Sequence, residues 1–171
     1  MFFTITQQLK NCTAKYNLKL NSNTKEYKYK FITTTLSNLI VFTNKNKVYK
    51  LKLTSGKIST LLGLEPNEKI LLILDSKNTK ENSEILFVTK LGKVKRVAAE
   101  EFVNMKRATI IASTLGEGDE IVNISLINST DTHVVLINSD GYCIKTDIEN
   151  ISKYKRTAAG VQGMKLSDNT I

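Results

Sequence analysis

The 171-residue chain contains no tryptophan, one proline, one histidine and two cysteines. Its longest obvious apolar run, Ile70-Leu71-Leu72-Ile73-Leu74, is far short of the roughly 20 residues that a membrane-spanning helix needs. The opening MFFTITQQLK has neither a basic leader region nor an apolar core, so no secretory signal is expected there. Cys12 and Cys143 stand far apart, and with only His133 they cannot complete a zinc site without carboxylates. Reduced thiols in a cytoplasmic protein are the expectation. Hydrolytic catalysis by a Ser-His-Asp or Cys-His pair would have to use His133, which opens an apolar strand. Glu100-Glu101 and Glu149 have no partner acid or base nearby in sequence, and no glycine loop suited to cradling phosphate occurs. Glu117-Gly118-Asp119-Glu120 lacks the remaining ligand spacings of a calcium loop and reads as an acidic turn. No catalytic residue, metal or cofactor is therefore expected.

Apolar residues make up 41% of the chain, which is enough for a core. Lysine and arginine number 25 against 16 acids, a net charge of +9. The excess is uneven: +5 over residues 1–37, +3 over 38–84, zero over 85–133 and +1 over 134–171. A balance of this kind suits a polyanionic partner, nucleic acid above all. Arginines are only Arg96, Arg107 and Arg156, so a solvated lysine-rich surface would give the same total.

The chain repeats itself. Leu39–Leu53, Glu84–Val97 and Val134–Thr146 each consist of an apolar strand, a short polar turn and a second strand carrying basic residues. The turn pivots, Asn46, Gly92 and Gly141, are 46 and 49 residues apart. Asn and Gly accept the positive φ that a tight hairpin turn requires. A polar turn then follows, closing at Ile70, Ile121 and Ile171, which are 51 and 50 residues apart, and it opens into a further strand at Ile70–Leu74 and Ile121–Leu126. Each unit thus holds about four short strands, the content of a propeller-like blade. Helical periodicity is absent, apart from a brief stretch at Ala98–Phe102. The expected layout is a degenerate unit at 1–37 and units at 38–84, 85–133 and 134–171. The first can be laid on Phe2–Tyr16 with Leu9 at its pivot, and the last stops where its fourth strand should begin. All form one all-β domain.

Three stretches resemble the C-terminal domain of the bacterial type IIA topoisomerase A subunit, from DNA gyrase or topoisomerase IV. They are Phe31–Thr35 leading into Leu39–Leu51, Val135–Lys145, and YKRTAAGVQGMKL from Tyr154 to Leu166 with its Gly160-Val161-Gln162-Gly163 step. The resemblance implies a β-pinwheel, a disc of four-stranded blades that exchange strands with their neighbours, here an incomplete disc. It implies a non-catalytic module that bends or wraps duplex DNA around a basic rim. Partners would be the ATPase subunit of an ATP-dependent enzyme together with the rest of the A subunit, in the bacterial cytoplasm and associated with the nucleoid. The gyrase signature box, a glutamine followed by basic and glycine residues, does not occur. Tyr154–Gly160 keeps only Lys155, Arg156 and Gly160 of it, and Asn104–Ile110 keeps only Lys106 and Arg107. On this point a topoisomerase IV-like protein or a degenerate paralogue fits somewhat better.

The residues expected to meet DNA are Lys45, Lys47 and Lys50 on the first hairpin, with Lys52 beside them. The second hairpin carries Lys90, Lys93, Lys95 and Arg96, and the third carries Lys145. Lys106-Arg107 and Lys155-Arg156 are read as one basic pair recurring at the same place in two units. Stacked blades would line these groups along an arc, touching phosphates rather than base edges. The competing reading is a propeller-like scaffold for protein partners, which would show an exposed apolar face.

Overall fold

The computed structural model describes residues 6–7, 32–33, 36–52 and 54–165. The expected N-terminal hairpin pivoting at Leu9 and the final turn at Ser167–Ile171 lie outside the described residues. At the N-terminal end, β1 (Thr6–Gln7) pairs in parallel with β2 (Ile32–Thr33).

Three antiparallel hairpins organise the rest. They are β3 (Asn38–Thr43) with β4 (Lys47–Lys52), β6 (Glu84–Thr89) with β7 (Lys93–Ala98), and β10 (His133–Ile137) with β11 (Cys143–Asp147). Their turns pivot at Asn46 (φ 62°), Gly92 (φ 78°) and Gly141 (φ 85°), the three positions expected from sequence. Single helical turns follow: α1 (Ile58–Leu61), α2 (Glu100–Val103) and a 3-10 turn at Ile148–Asn150.

The four-stranded sheets are completed across units. In the first, the order is β5 (Ile70–Asp75), β3, β4, β8 (Thr109–Ile111). In the second it is β9 (Ile121–Ile127), β6, β7, β12 (Val161–Gln162). Strand β8 follows the second hairpin in the chain but hydrogen-bonds to the first, and β12 likewise leaves the third hairpin for the second. Each unit therefore closes the outer edge of its predecessor. That removes a row of unpaired backbone donors and acceptors, which would otherwise be open to mispairing.

Stacking explains the apolar runs. Ile40 and Phe42 of β3 point to one side and Leu39 and Val41 to the other, and all four are buried. In β6, Ile85 and Phe87 share a core with Ile40 and Phe42, while Leu86 and Val88 face Leu136 of the third hairpin. A strand covered on both faces needs no polar alternation. At the centre of the shared core Phe102 of α2 meets Phe42 and Phe87, with ring centroids 5.0 and 5.7 Å away. On the other face of β10, Val135 and Ile137 are 56% and 57% exposed.

Two buried carboxylates fasten the first sheet. Glu68 accepts from the Thr43 hydroxyl at 2.7 Å, the Glu65 amide at 3.0 Å and the Tyr49 hydroxyl at 3.0 Å. Asp75 accepts from the Ser37 hydroxyl, the Lys77 amide and the Asn78 side chain. Burial pushes both carboxyls upward, but these hydrogen bonds outweigh it and hold both below the ordinary range. Among the described residues no helix is long and apolar enough to cross a membrane.

Two outcomes are expected. Phe102→Ala, at a fully buried site, should lower the free energy of unfolding in urea by about 3–5 kcal/mol. Because Glu68 and Asp75 bind protons less readily folded than unfolded, their contribution is complete above the unfolded pKa. It is lost as pH falls below about 4, and Glu68→Gln with Asp75→Asn should flatten that acid limb of the stability profile.

Candidate nucleic-acid interface

Eleven of the twelve cations expected to meet DNA separate into three groups; the twelfth, half-buried Arg156, belongs to the groove described below. The first is internal. Lys95 is 1% exposed on β7, and its Nζ donates to the carbonyls of Arg156 at 2.6 Å, Ala158 at 2.8 Å and Ala112 at 3.3 Å, over the Phe87 ring at 5.2 Å. Burial pulls its pKa down to about 8, with nearby Glu101 opposing the drop and Arg156 adding to it. Arg96 is 8% exposed. Its Nε donates to the Ile151 carbonyl at 2.6 Å, and its guanidinium binds Glu84 and Glu149 at 3.1 Å each. A rim position for Lys95 and Arg96 is thus corrected: the next unit covers them, and their donors hold its chain in place.

Lys50 resembles Arg96. In the hairpin registers Lys50 faces Ile40 as Arg96 faces Leu86. The Lys50 Nζ donates to the Met105 carbonyl at 3.0 Å, just past α2, as Arg96 does to Ile151 just past the 3-10 turn. Lys145 holds the same register place on the third hairpin and is exposed. Each of the three stands four residues after its turn pivot, a spacing visible in the sequence.

A second group is partly neutralised at the surface. Lys47 pairs with Glu65 at 2.5 Å, Lys90 with Glu120 at 3.6 Å and Lys155 with Glu101 at 3.9 Å. Lys93 is half-buried at the second hairpin tip. The third group, Lys45, Lys106, Arg107 and Lys145, is exposed with no ion pair to any described residue.

The supposed recurrence of Lys106-Arg107 and Lys155-Arg156 does not survive the register. Arg107 lies three residues before Ile110, the partner of Val48, whereas Arg156 lies five before Val161, the partner of Val94. The two arginines nevertheless meet, because they line one groove of about 750 Å³ together with Lys47. The groove runs between the first hairpin tip, strand β8 and the loop at Arg156-Thr157. Its walls are tied by Asn46 Nδ2 to the Ser113 carbonyl at 2.7 Å, by the Thr114 hydroxyl to the Thr157 carbonyl at 2.6 Å, and by Arg156 Nη1 to the Ile111 carbonyl.

The glycines of the Gly160–Gly163 step let β12 lie close against β7. At Gly160 (φ 92°) a Cβ would stand 2.6 Å from the Val94 carbonyl oxygen, and at Gly163 it would stand 2.7 Å from the Val94 side chain. Gln162 adds a hydrogen bond to the Leu91 carbonyl at 2.8 Å. The acidic turn before β9 serves the second hairpin tip: Asp119 accepts from the Leu91 amide at 3.0 Å. No cluster of metal-ligating side chains occurs among the described residues.

Lys95→Met should leave buried carbonyls without a donor and lower stability in urea by about 2–4 kcal/mol. Lys45→Met, at an exposed site, should stay within about 0.5 kcal/mol of the parent.

The family model of the DNA gyrase C-terminal domain, a beta-propeller, matches residues 37–55, 83–128 and 132–169. The DNA gyrase A protein of Helicobacter pylori is 34% identical over 149 residues, 81% of this chain and 18% of the relative. Its counterpart from Clostridium acetobutylicum is 32% identical over 143 residues, 78% of this chain and 17% of its own length. The chain thus spans about a sixth of the length of these relatives. In structure it is similar to the C-terminal domain of DNA topoisomerase IV, with a TM-score of 0.70 at 23% identity over 80% of this chain and 46% of that one. It is also similar to the E. coli ParC C-terminal domain, with a TM-score of 0.64 at 11% identity over 80% and 61%. Hairpins with exchanged strands, the Gly160–Gly163 step and these matches lead to one assignment: the chain belongs to the DNA gyrase C-terminal domain family.

Proposed function

We propose that the chain is the DNA-holding module of a bacterial type IIA topoisomerase A subunit. It binds the backbone of duplex DNA, bends it and leaves strand cleavage to other parts of the enzyme. The observation that carries this reading is the division of the cations. After Lys50, Lys95 and Arg96 are tied to carbonyls inside the fold, an exposed set remains at Lys45, Lys106, Arg107, Lys145 and Lys155. The described residues form strands and short turns with no recognition helix among them, so contacts fall on phosphates, and sequence preference enters through the cost of bending. The working context is the ATPase partner with the remainder of the topoisomerase, in the bacterial cytoplasm at the nucleoid, with no cofactor bound to this module.

One observation favours a second contact of a different kind. Val135, Ile137 and Tyr142 of the third hairpin are exposed, with Tyr142 at 73%. An apolar face of this sort suits a polypeptide neighbour, as a scaffold would.

Binding of a labelled duplex, measured by anisotropy across a salt series, tests the main reading. A linear fall of log affinity with log salt is expected, with a slope of roughly −0.9 for each phosphate contact. Absence of binding at low salt, or a flat salt dependence, would overturn it.

A further inference from the structure

We propose that the groove between the first hairpin tip, β8 and the loop at Arg156-Thr157 is a seat for the sugar–phosphate backbone of one DNA strand. This rests on the DNA-binding reading above and assigns the contact to a place that no single unit contains. Lys47 comes from the first hairpin, Arg107 from the segment after the second and Arg156 from the segment after the third. Among the described residues no carboxylate lines the groove.

The three cations are differently committed. Arg107 is exposed and pairs with no described acid. Arg156 gives Nη1 to the Ile111 carbonyl, which fixes the guanidinium on the groove wall without neutralising it. Lys47 is shared with Glu65, an exposed side chain. A planar guanidinium presents paired N–H donors, which match phosphate oxygens better than an ammonium does.

The lining also decides what kind of anion fits. Ile110 and Ile111 lie in the groove, and Ile111 is 60% exposed. A small hydrated anion gains nothing from such a wall. A deoxyribose ring does, because it can lie on the isoleucines while the phosphates on either side reach the cations. Thr109, also in the lining, adds a hydroxyl donor for a phosphate oxygen.

The seat depends on strand exchange. Its wall at Ile110-Ile111 exists only with β8 docked on β4, and Arg156 is placed by a loop whose carbonyls bind Lys95. The Arg156 amide is further held by Glu101 of α2 at 2.9 Å. A backbone segment bound here therefore touches three consecutive units.

The test compares the parent chain with Arg107→Gln/Arg156→Gln and with a charge-matched control, Lys77→Gln/Lys80→Gln. The control residues are exposed in the loop between β5 and β6, away from the groove. Affinity for a labelled duplex is measured over a salt series, and folding is checked by urea unfolding. The groove variant should bind about tenfold more weakly at low salt and lose about two from the magnitude of the salt slope. The control should lose much less affinity. Because Arg156 also ties the groove wall, Arg107→Gln alone is run beside the double variant; it should lose about one from the slope with an unchanged unfolding midpoint. If both groove variants behave like the control while the parent binds, the seat is overturned and the broader DNA-binding reading stands. If the parent itself fails to bind at low salt, both fall.

Discussion

The first and second hairpins each have an outer edge that the next unit closes. Strand β4 is completed by β8, and β7 by β12. The backbone groups along those edges are obligatory donors and acceptors, so exchange is the condition under which a stack of small sheets becomes one body. The side chains reinforce it. Lys95 gathers three carbonyls from two later segments, and Arg96 and Lys50 each clamp the chain just past a helical turn of the following unit. Packing follows the same order, since the Phe42, Phe87 and Phe102 cluster joins the first sheet to the second and to the turn that precedes β8.

This constraint sorts the charge. A net +9 in a chain of 171 residues suggests a surface dense with binding groups. Yet the most buried of the candidate cations, Lys95 and Arg96, are interior linkers whose removal acts on stability. The cations left exposed are Lys45 on a hairpin tip, Lys145 on β11, and Lys106, Arg107 and Lys155 in the segments that travel between units. Exchange also brings residues distant in sequence to one place: Lys47, Arg107 and Arg156 share a groove because β8 returns to the first hairpin and the loop before β12 is tied to β8 and to the segment after it.

Much of the fold was legible in the sequence. The pivots Asn46, Gly92 and Gly141 show as residues tolerant of positive φ, and the apolar runs at Leu39–Phe42 and Ile85–Val88 show as strands. The Gly160–Gly163 step marked a family loop, and its physical reason is the close approach of Val94. The site was less legible. Alternation along β7 tells which residues share a face but not whether a neighbour covers that face, so Lys95 and Arg96 read as surface groups. The signal for the clamp is the basic residue four places after each pivot, Lys50, Arg96 and Lys145. Lys106-Arg107 and Lys155-Arg156 looked equivalent because they look alike, and the pairing register separates them. The turn at Ile58–Leu61 gave no periodic signal, being a single turn with one buried residue.

The account stands on the pairing of β8 and β12 with hairpins that precede them by a whole unit. Cross-strand nuclear Overhauser contacts in the folded chain read that pairing directly. They should join Val48 to Ile110 and Val94 to Val161, the partners in the two exchanged ladders. Contacts placing Ile110 on its own hairpin, or leaving Val161 without a strand partner, would contradict it.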